Sequence, residues 1–216
     1  QMCIRDSQGP KAEALLAKLF GEQVRDIGFF KFGWIEFKGT HQLIARSGFS
    51  RQGGFEIYLE GGHLGADLWD LIWDAGQTFN ITAGCPNLIE RIEGGLFSYG
   101  NEMTRENNPL EMGLSKFCSL DGSINYIGRK ALEKIASDGV ARKIRGVIFD
   151  GKPCPTCSIP WPVMVGQQQV GQITSGIWSP RLKANVGQTL IERGFWEFGQ
   201  EVVVVTADGQ HRQGKI

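Results

Sequence analysis

The stretch Phe29-Phe30-Lys31-Phe32-Gly33-Trp34-Ile35-Glu36-Phe37-Lys38, with Gly39-Thr40 and Gln42-Leu43-Ile44-Ala45 after it, decides the fold. Its aromatics alternate with polar or small residues, which is the period of a half-buried strand. Gly39-Thr40 supplies a turn, so the two runs read as neighbouring strands. Gly53-Gly54 then leads into Phe55-Glu56-Ile57-Tyr58-Leu59, a third strand. Beyond it Leu64, Leu68, Trp69, Leu71, Ile72 and Ala75 form a helical stripe closed by Gly76. Leu88 to Glu93 reads as another strand or a short helix. Residues 29–95 thus spell β-β-β-α-β, and the fold class is α+β with a ferredoxin-like sandwich.

Working outward, Pro10, the Ala/Leu-rich run to Phe20 and Gly21 are the start and stop signals of a helix. The residues before Gln8 are of a different kind. Gln1-Met2-Cys3-Ile4-Arg5-Asp6-Ser7 has no signal-peptide apolar core and no helical period. It resembles the read-through translation of a transposon adapter used in sequencing libraries, and is set aside as foreign to the fold. In the other direction, Tyr99 to Pro109 is polar and turn-rich, and Ile127 to Ala136 is a helix. From Arg142 the pattern is all-β. Residues 144–149, 163–165, 170–174, 184–190 and 201–206 are short β-prone runs between Gly, Pro and Asp turns, the signature of a small barrel. The domain reading is therefore 1–7 adapter-derived, 8–28 remnant of a preceding domain, 29–109 ferredoxin-like, 110–141 helical connection and 142–216 C-terminal β-barrel. The chain reads as a fragment lacking an N-terminal region.

Composition narrows the function. The chain has 216 residues, enough to bury a core without staples. Hydrophobic residues at 41% and charged residues at 21% exclude a disordered chain. Lys+Arg and Asp+Glu are both 23, so a general nucleic-acid binder, which needs a basic excess, is not expected. No run approaches the roughly 18 apolar residues of a membrane span. The expected location is the cytoplasm. Five cysteines are too few and too scattered for a disulfide scaffold. Cys85 and Cys118 read as buried thiols, and Cys154-Pro155-Thr156-Cys157 as exposed cysteines of a Pro-rich loop. His41, His63 and His211 are not spaced to complete a zinc site, so no metal is expected.

Three windows carry chemistry. In Gly48-Phe49-Ser50-Arg51-Gln52-Gly53-Gly54-Phe55-Glu56-Ile57-Tyr58, the two-residue period puts Glu56 on the face opposite Phe55 and Ile57. It is either a solvated strand glutamate or a carboxylate that accepts paired hydrogen bonds from a ring amine and ring N–H. In Glu90-Arg91-Ile92-Glu93-Gly94-Gly95, Arg91 is either a surface ion pair or an anchor for a ligand carboxylate, which its planar fork suits. In Thr174-Ser175-Gly176 no Ser–His–Asp arrangement activates the serine, so nucleophilic serine catalysis is not expected.

Taken in order, these windows resemble the aminomethyltransferase family, which includes the glycine cleavage T-protein and dimethylsulfoniopropionate demethylase. The resemblance rests on Gly54-Phe55-Glu56-Ile57, Arg91-Ile92-Glu93-Gly94-Gly95, Ser98-Tyr99-Gly100-Asn101, Glu111-Met112-Gly113-Leu114, Gly128-Arg129-Lys130-Ala131-Leu132 and Thr174-Ser175-Gly176. The Gln52-Gly53-Gly54-Phe55-Glu56 loop, Pro86-Asn87 and Lys116 lie nearer the demethylase branch. The resemblance implies the remnant of a three-domain folate-binding fold. It implies tetrahydrofolate as cofactor, with Glu56 holding the pterin, Arg91 in the central cleft, and Phe49 and Tyr58 lining the pocket. The T-protein has Tyr at the Phe49 position, so a hydroxyl role there is absent. The family's catalytic acid would lie upstream of Gln8, leaving no catalytic residue to assign and a fragment expected to be inactive alone. The implied activity is methyl transfer from dimethylsulfoniopropionate, a small-molecule substrate, to tetrahydrofolate. That transfer gives 5-methyltetrahydrofolate and methylmercaptopropionate. Phe30, Trp34, Phe49 and Tyr58 are candidate rings for the sulfonium, which aromatic faces hold as they hold quaternary ammonium groups. The alternatives are aminomethyl transfer in glycine cleavage and the folate module of a dimethylglycine- or sarcosine-dehydrogenase-like flavoprotein. A folate-binding module without methyl transfer is disfavoured, because its Lys-Gly-Cys-Tyr-x-Gly-Gln motif is missing.

Overall fold

The computed structural model describes residues 3–85 and 87–216, the side chain of Cys3 excepted. Gln1, Met2 and Pro86, the last part of a motif quoted above, lie outside the described residues. The chain divides after Asn87 into two compact units.

The first unit is an antiparallel sheet with helices on one face. Strand β1 is Cys3–Gln8, helix α1 is Ala12–Phe20, and strands β2, β3 and β4 are Phe32–Phe37, Thr40–Ala45 and Gly54–Leu59. Helix α2 is Gly65–Gly76. The strand order is β1-β4-β3-β2. Alternation works as the sequence suggests. Ile35, Phe37, Ile44, Phe55, Ile57 and Leu59 are buried, and Leu15, Leu16, Leu68 and Ile72 of the two helices pack on them. Helix α1 ends where Gly21 takes φ +95° and donates its N–H to Ala17 O at 2.8 Å. A side-chain-bearing residue is strained at that φ, which is why the stop falls on glycine.

The structure adds detail on two segments. In the strip 8–28, Leu16 and Val24 are fully buried in the same core as β2–β4. Of the two readings left open for Leu88–Glu93, the short helix is the one found, α3, so the fourth strand of the sheet comes from elsewhere. It is Cys3–Gln8, most of which lies in the segment 1–7 set aside as foreign. This strand pairs with β4 from Cys3↔Leu59 to Gln8↔Gly54. A backbone ladder is indifferent to side chains, so sequence pattern alone could not foresee it.

The second unit holds α3, helix α4 (Arg129–Asp138) and six strands. These are β5 (Arg142–Phe149), β6 (Trp161–Val165), β7 (Gln168–Ser179), β8 (Ala184–Glu192), β9 (Glu201–Val205) and β10 (His211–Lys215). They close in the order β10-β5-β8-β7-β6-β9, so no strand edge is left open. The expected C-terminal barrel is therefore present. Trp161 fills its interior, edge-on to Phe149 at 6.1 Å, among Val163, Val170, Ile173, Ile191, Val202 and Val204. Gly176 is required there: a Cβ at that position would stand 2.8 Å from the Trp161 ring. The cysteines differ from expectation. Cys85 is exposed, whereas Cys154 is buried in the barrel core and Cys157 packs against it. The Pro-rich loop folds inward because Cys154 N–H donates to the buried Asn185 side chain at 2.9 Å and Cys157 N–H to Gly176 O at 3.0 Å. Burial raises both thiols, Cys157 to about 11, so neither is an activated nucleophile.

Candidate functional site: a carboxylate on the open face of the sheet

The face of the first sheet that turns away from α1 and α2 carries the sequence-predicted group Glu56. Register places Asp6, Glu56, Ala45 and Phe32 in one row, and Ile4, Tyr58, Leu43 and Trp34 in the next. Phe32 and Trp34 are 63% and 57% exposed, so two large apolar rings stand on this face without a covering layer within their own unit. Strand spacing of roughly 4.8 Å puts the Trp34 position about 10 Å from that of Tyr58.

The loop between β3 and β4 holds Glu56 in place. The Ser47 hydroxyl donates to Glu56 Oε2. Ser47 is itself held, because the Gln8 amide donates to Ser47 O at 3.2 Å and accepts from Ser50 Oγ at 2.9 Å. Gly53 and Gly54 turn the chain into β4 with φ +81° and +151°. A Cβ on Gly54 would stand 2.4 Å from Ser7 O. Phe49 lies in this loop, partly exposed. Glu56 and Tyr58, two of the predicted residues, are thus hydrogen-bonded to each other, and Phe49, a third, lies in the loop that supplies Ser47. Sequence reasoning missed Ser47; its signal is its place just after the strand, where a short hydroxyl reaches a carboxylate on the neighbouring strand. Phe30 is exposed in the turn before β2, edge-on to Phe29 at 4.5 Å.

Tyr58 reports on this environment. Desolvation, then the charges of Glu56 and Asp6, then a hydrogen bond with Glu56 raise its phenol above 10. A raised acid stays neutral in the fold after it would have ionised in the unfolded chain. Its contribution to stability is therefore present below about pH 10 and lost as pH climbs past the raised value. A spectrophotometric titration of the wild type minus Tyr58→Phe is expected to show a phenolate midpoint above 10. A midpoint at 10 would place Tyr58 in free solvent.

Arg91 is corrected. It belongs to the second unit, on α3 (Leu88–Glu93), and its side chain is only 7% exposed. Nη1 donates to Glu102 at 3.0 Å and to Leu96 O at 3.2 Å, and Nη2 donates to Ser175 Oγ at 2.7 Å. Glu102 also accepts the Ser98 N–H at 2.7 Å. These donors are taken up by the chain itself. They clamp α3 and the turn after it to β7. A register shift between Ile173 and Ser175 brings Ser175 to the contact. The Gln188 amide donates to Ile92 O at 3.3 Å, and Glu93 takes Ser179 and Arg181, the latter at 2.6 Å. The Thr174-Ser175-Gly176 motif is thus structural: Ser175 receives Arg91 and Gly176 makes room for Trp161.

An α+β sheet bearing a carboxylate on its open face, with a closed six-stranded barrel in the second unit, defines the class. Residues 1–122 match the family described as GCVT N-terminal domain, and residues 142–216 match the glycine cleavage T-protein C-terminal barrel domain. The chain belongs to this glycine cleavage T-protein family. Over 202 residues it is 48% identical to the dimethylsulfoniopropionate demethylase DmdA of Ruegeria pomeroyi, covering 94% of this chain and 55% of that protein. It is 36% identical over 202 residues to an aminomethyltransferase of Caldanaerobacter subterraneus, covering 92% of this chain and 53% of that protein. Among solved structures, the glycine cleavage system aminomethyltransferase T of Bartonella henselae shares the fold, with a TM-score of 0.81 at 22% identity over 100% of this chain and 58% of that one. The chain spans about half the length of the curated relatives it matches.

Proposed function

We propose that this chain is part of a tetrahydrofolate-dependent methyltransferase that demethylates dimethylsulfoniopropionate. The observation that carries the reading is its 48% identity to a demethylase, against 36% to an aminomethyltransferase over the same number of residues. The Gln52-Gly53-Gly54-Phe55-Glu56 loop supports the same branch.

The residues on the open face suit a pterin. An ionised carboxylate offers two acceptor oxygens, the complement of an amine and a ring N–H side by side. Ser47 restrains Glu56, which reduces the ordering cost on binding. Exposed rings such as Trp34 and Phe32 offer flat apolar area to a bicyclic ligand. The same rings suit a sulfonium, because an aromatic face attracts a cation of low hydration. When bound, tetrahydrofolate supplies the nitrogen that accepts the one-carbon unit. A sulfonium is already an activated methyl donor, so the work left to the protein is to hold donor and acceptor in line, a proximity effect.

Full-length protein given tetrahydrofolate and dimethylsulfoniopropionate is expected to form 5-methyltetrahydrofolate and methylmercaptopropionate, both read by mass spectrometry. The family also contains aminomethyltransferases, which act on a different donor. Ammonia release from an aminomethylated lipoyl carrier, with no thioether product, would overturn the demethylase reading and establish that one.

A further inference from the structure

We infer that the lane beside β4 is shaped for an antiparallel strand that is apolar at positions 5 and 7 and uncharged at position 6, and that Cys3–Gln8 fills it as a mismatched occupant. The backbone of β1 fits: it pairs along its whole length, and Ser7 O approaches Gly54 so closely that only glycine is accommodated there. Its side chains do not fit. Arg5 and Ser7 stand opposite Ile57 and Phe55, which are 0% and 1% exposed and belong to the core. Ser7 is buried at 8% with no apolar group to add to that core. Arg5 reaches outward to Ile4 O with Nη1, but among the described residues its Nε is buried with no hydrogen-bond partner. A buried donor without a partner is a cost that an apolar side chain would not incur.

The other face of the strand repeats the mismatch. Asp6 pairs directly with Glu56, and like charges facing each other across a ladder are destabilising. In agreement, desolvation and then the Glu56 carboxylate raise Asp6 from its ordinary value, although its side chain still reaches solvent. Three successive residues, on both faces, therefore work against a ladder that their backbone completes.

The test uses the present chain. The variant Arg5→Met/Asp6→Asn/Ser7→Val keeps side-chain lengths close to the originals while removing the orphaned donor, the charge and the buried hydroxyl. Its thermal midpoint is expected to rise by roughly 4 °C or more for a unit of this size, with slower hydrogen exchange at the amides of β1 and β4. An unchanged or lower midpoint with unchanged exchange overturns the inference. Should the triple variant be insoluble, Asp6→Asn alone reads the facing charges: a higher midpoint supports the mismatch, and an equal one overturns it. Neither arm uses a ligand, so the outcome is independent of the proposed activity.

Discussion

Replacing Arg91 by alanine is expected to destabilise the barrel-bearing unit by about 3–5 kcal/mol, the usual cost of leaving one member of a buried ion pair alone. Glu102 is the partner left behind. Its side chain is fully buried, its Oε2 would keep only the Ser98 N–H, and its Oε1 already has no hydrogen-bond partner. Urea unfolding followed by tryptophan fluorescence measures the loss, since Trp161 and Trp178 lie in this unit. The double variant Arg91→Met/Glu102→Leu removes both charges and is expected to recover much of it, because apolar replacements of a buried pair are often neutral. A loss below about 1 kcal/mol in the single variant, typical of surface pairs, would mean that Arg91 is free for another role.

Replacing Glu56 by alanine is expected to weaken tetrahydrofolate binding roughly ten- to hundredfold in the full-length protein. That corresponds to about 1.5–3 kcal/mol for hydrogen bonds to a charged group. The fold should survive, because Glu56 lies on the open face and contributes nothing to the apolar core. Ser47→Ala, which frees the carboxylate without removing it, is expected to cost less. Titration calorimetry with tetrahydrofolate decides the matter. Equal affinities for wild type and Glu56→Ala would return Glu56 to the status of a solvated strand residue.

The two arginine and glutamate outcomes show how far a linear pattern reaches. Glu56 was legible because a strand has a strict two-residue period. Phe55 and Ile57 had to face the core, so Glu56 had to face away. Arg91 was legible as a residue of consequence but not in its role. Its partners are 11 and 84 residues away, at Glu102 and Ser175. No local period encodes a contact that depends on a barrel strand shifting register. Cys154 and Cys157 were misread for the same reason, since prolines describe a loop but not whether it folds inward.

By itself the sequence determined the α+β class, the helix that stops at Gly21, the C-terminal barrel and the family; the hairpin turn it put at Gly39-Thr40 falls one residue earlier, at Lys38-Gly39, with Thr40 already in β3. Each follows from short-range periodicity, glycine and proline punctuation, or a run of motifs in order. Only the tertiary structure decided which strand completes the first sheet, which partners Arg91 takes, and which cysteines are buried. Those are questions of pairing between distant segments. Backbone hydrogen bonds accept any side chain, so Cys3–Gln8 could enter the ladder beside β4 against its own pattern.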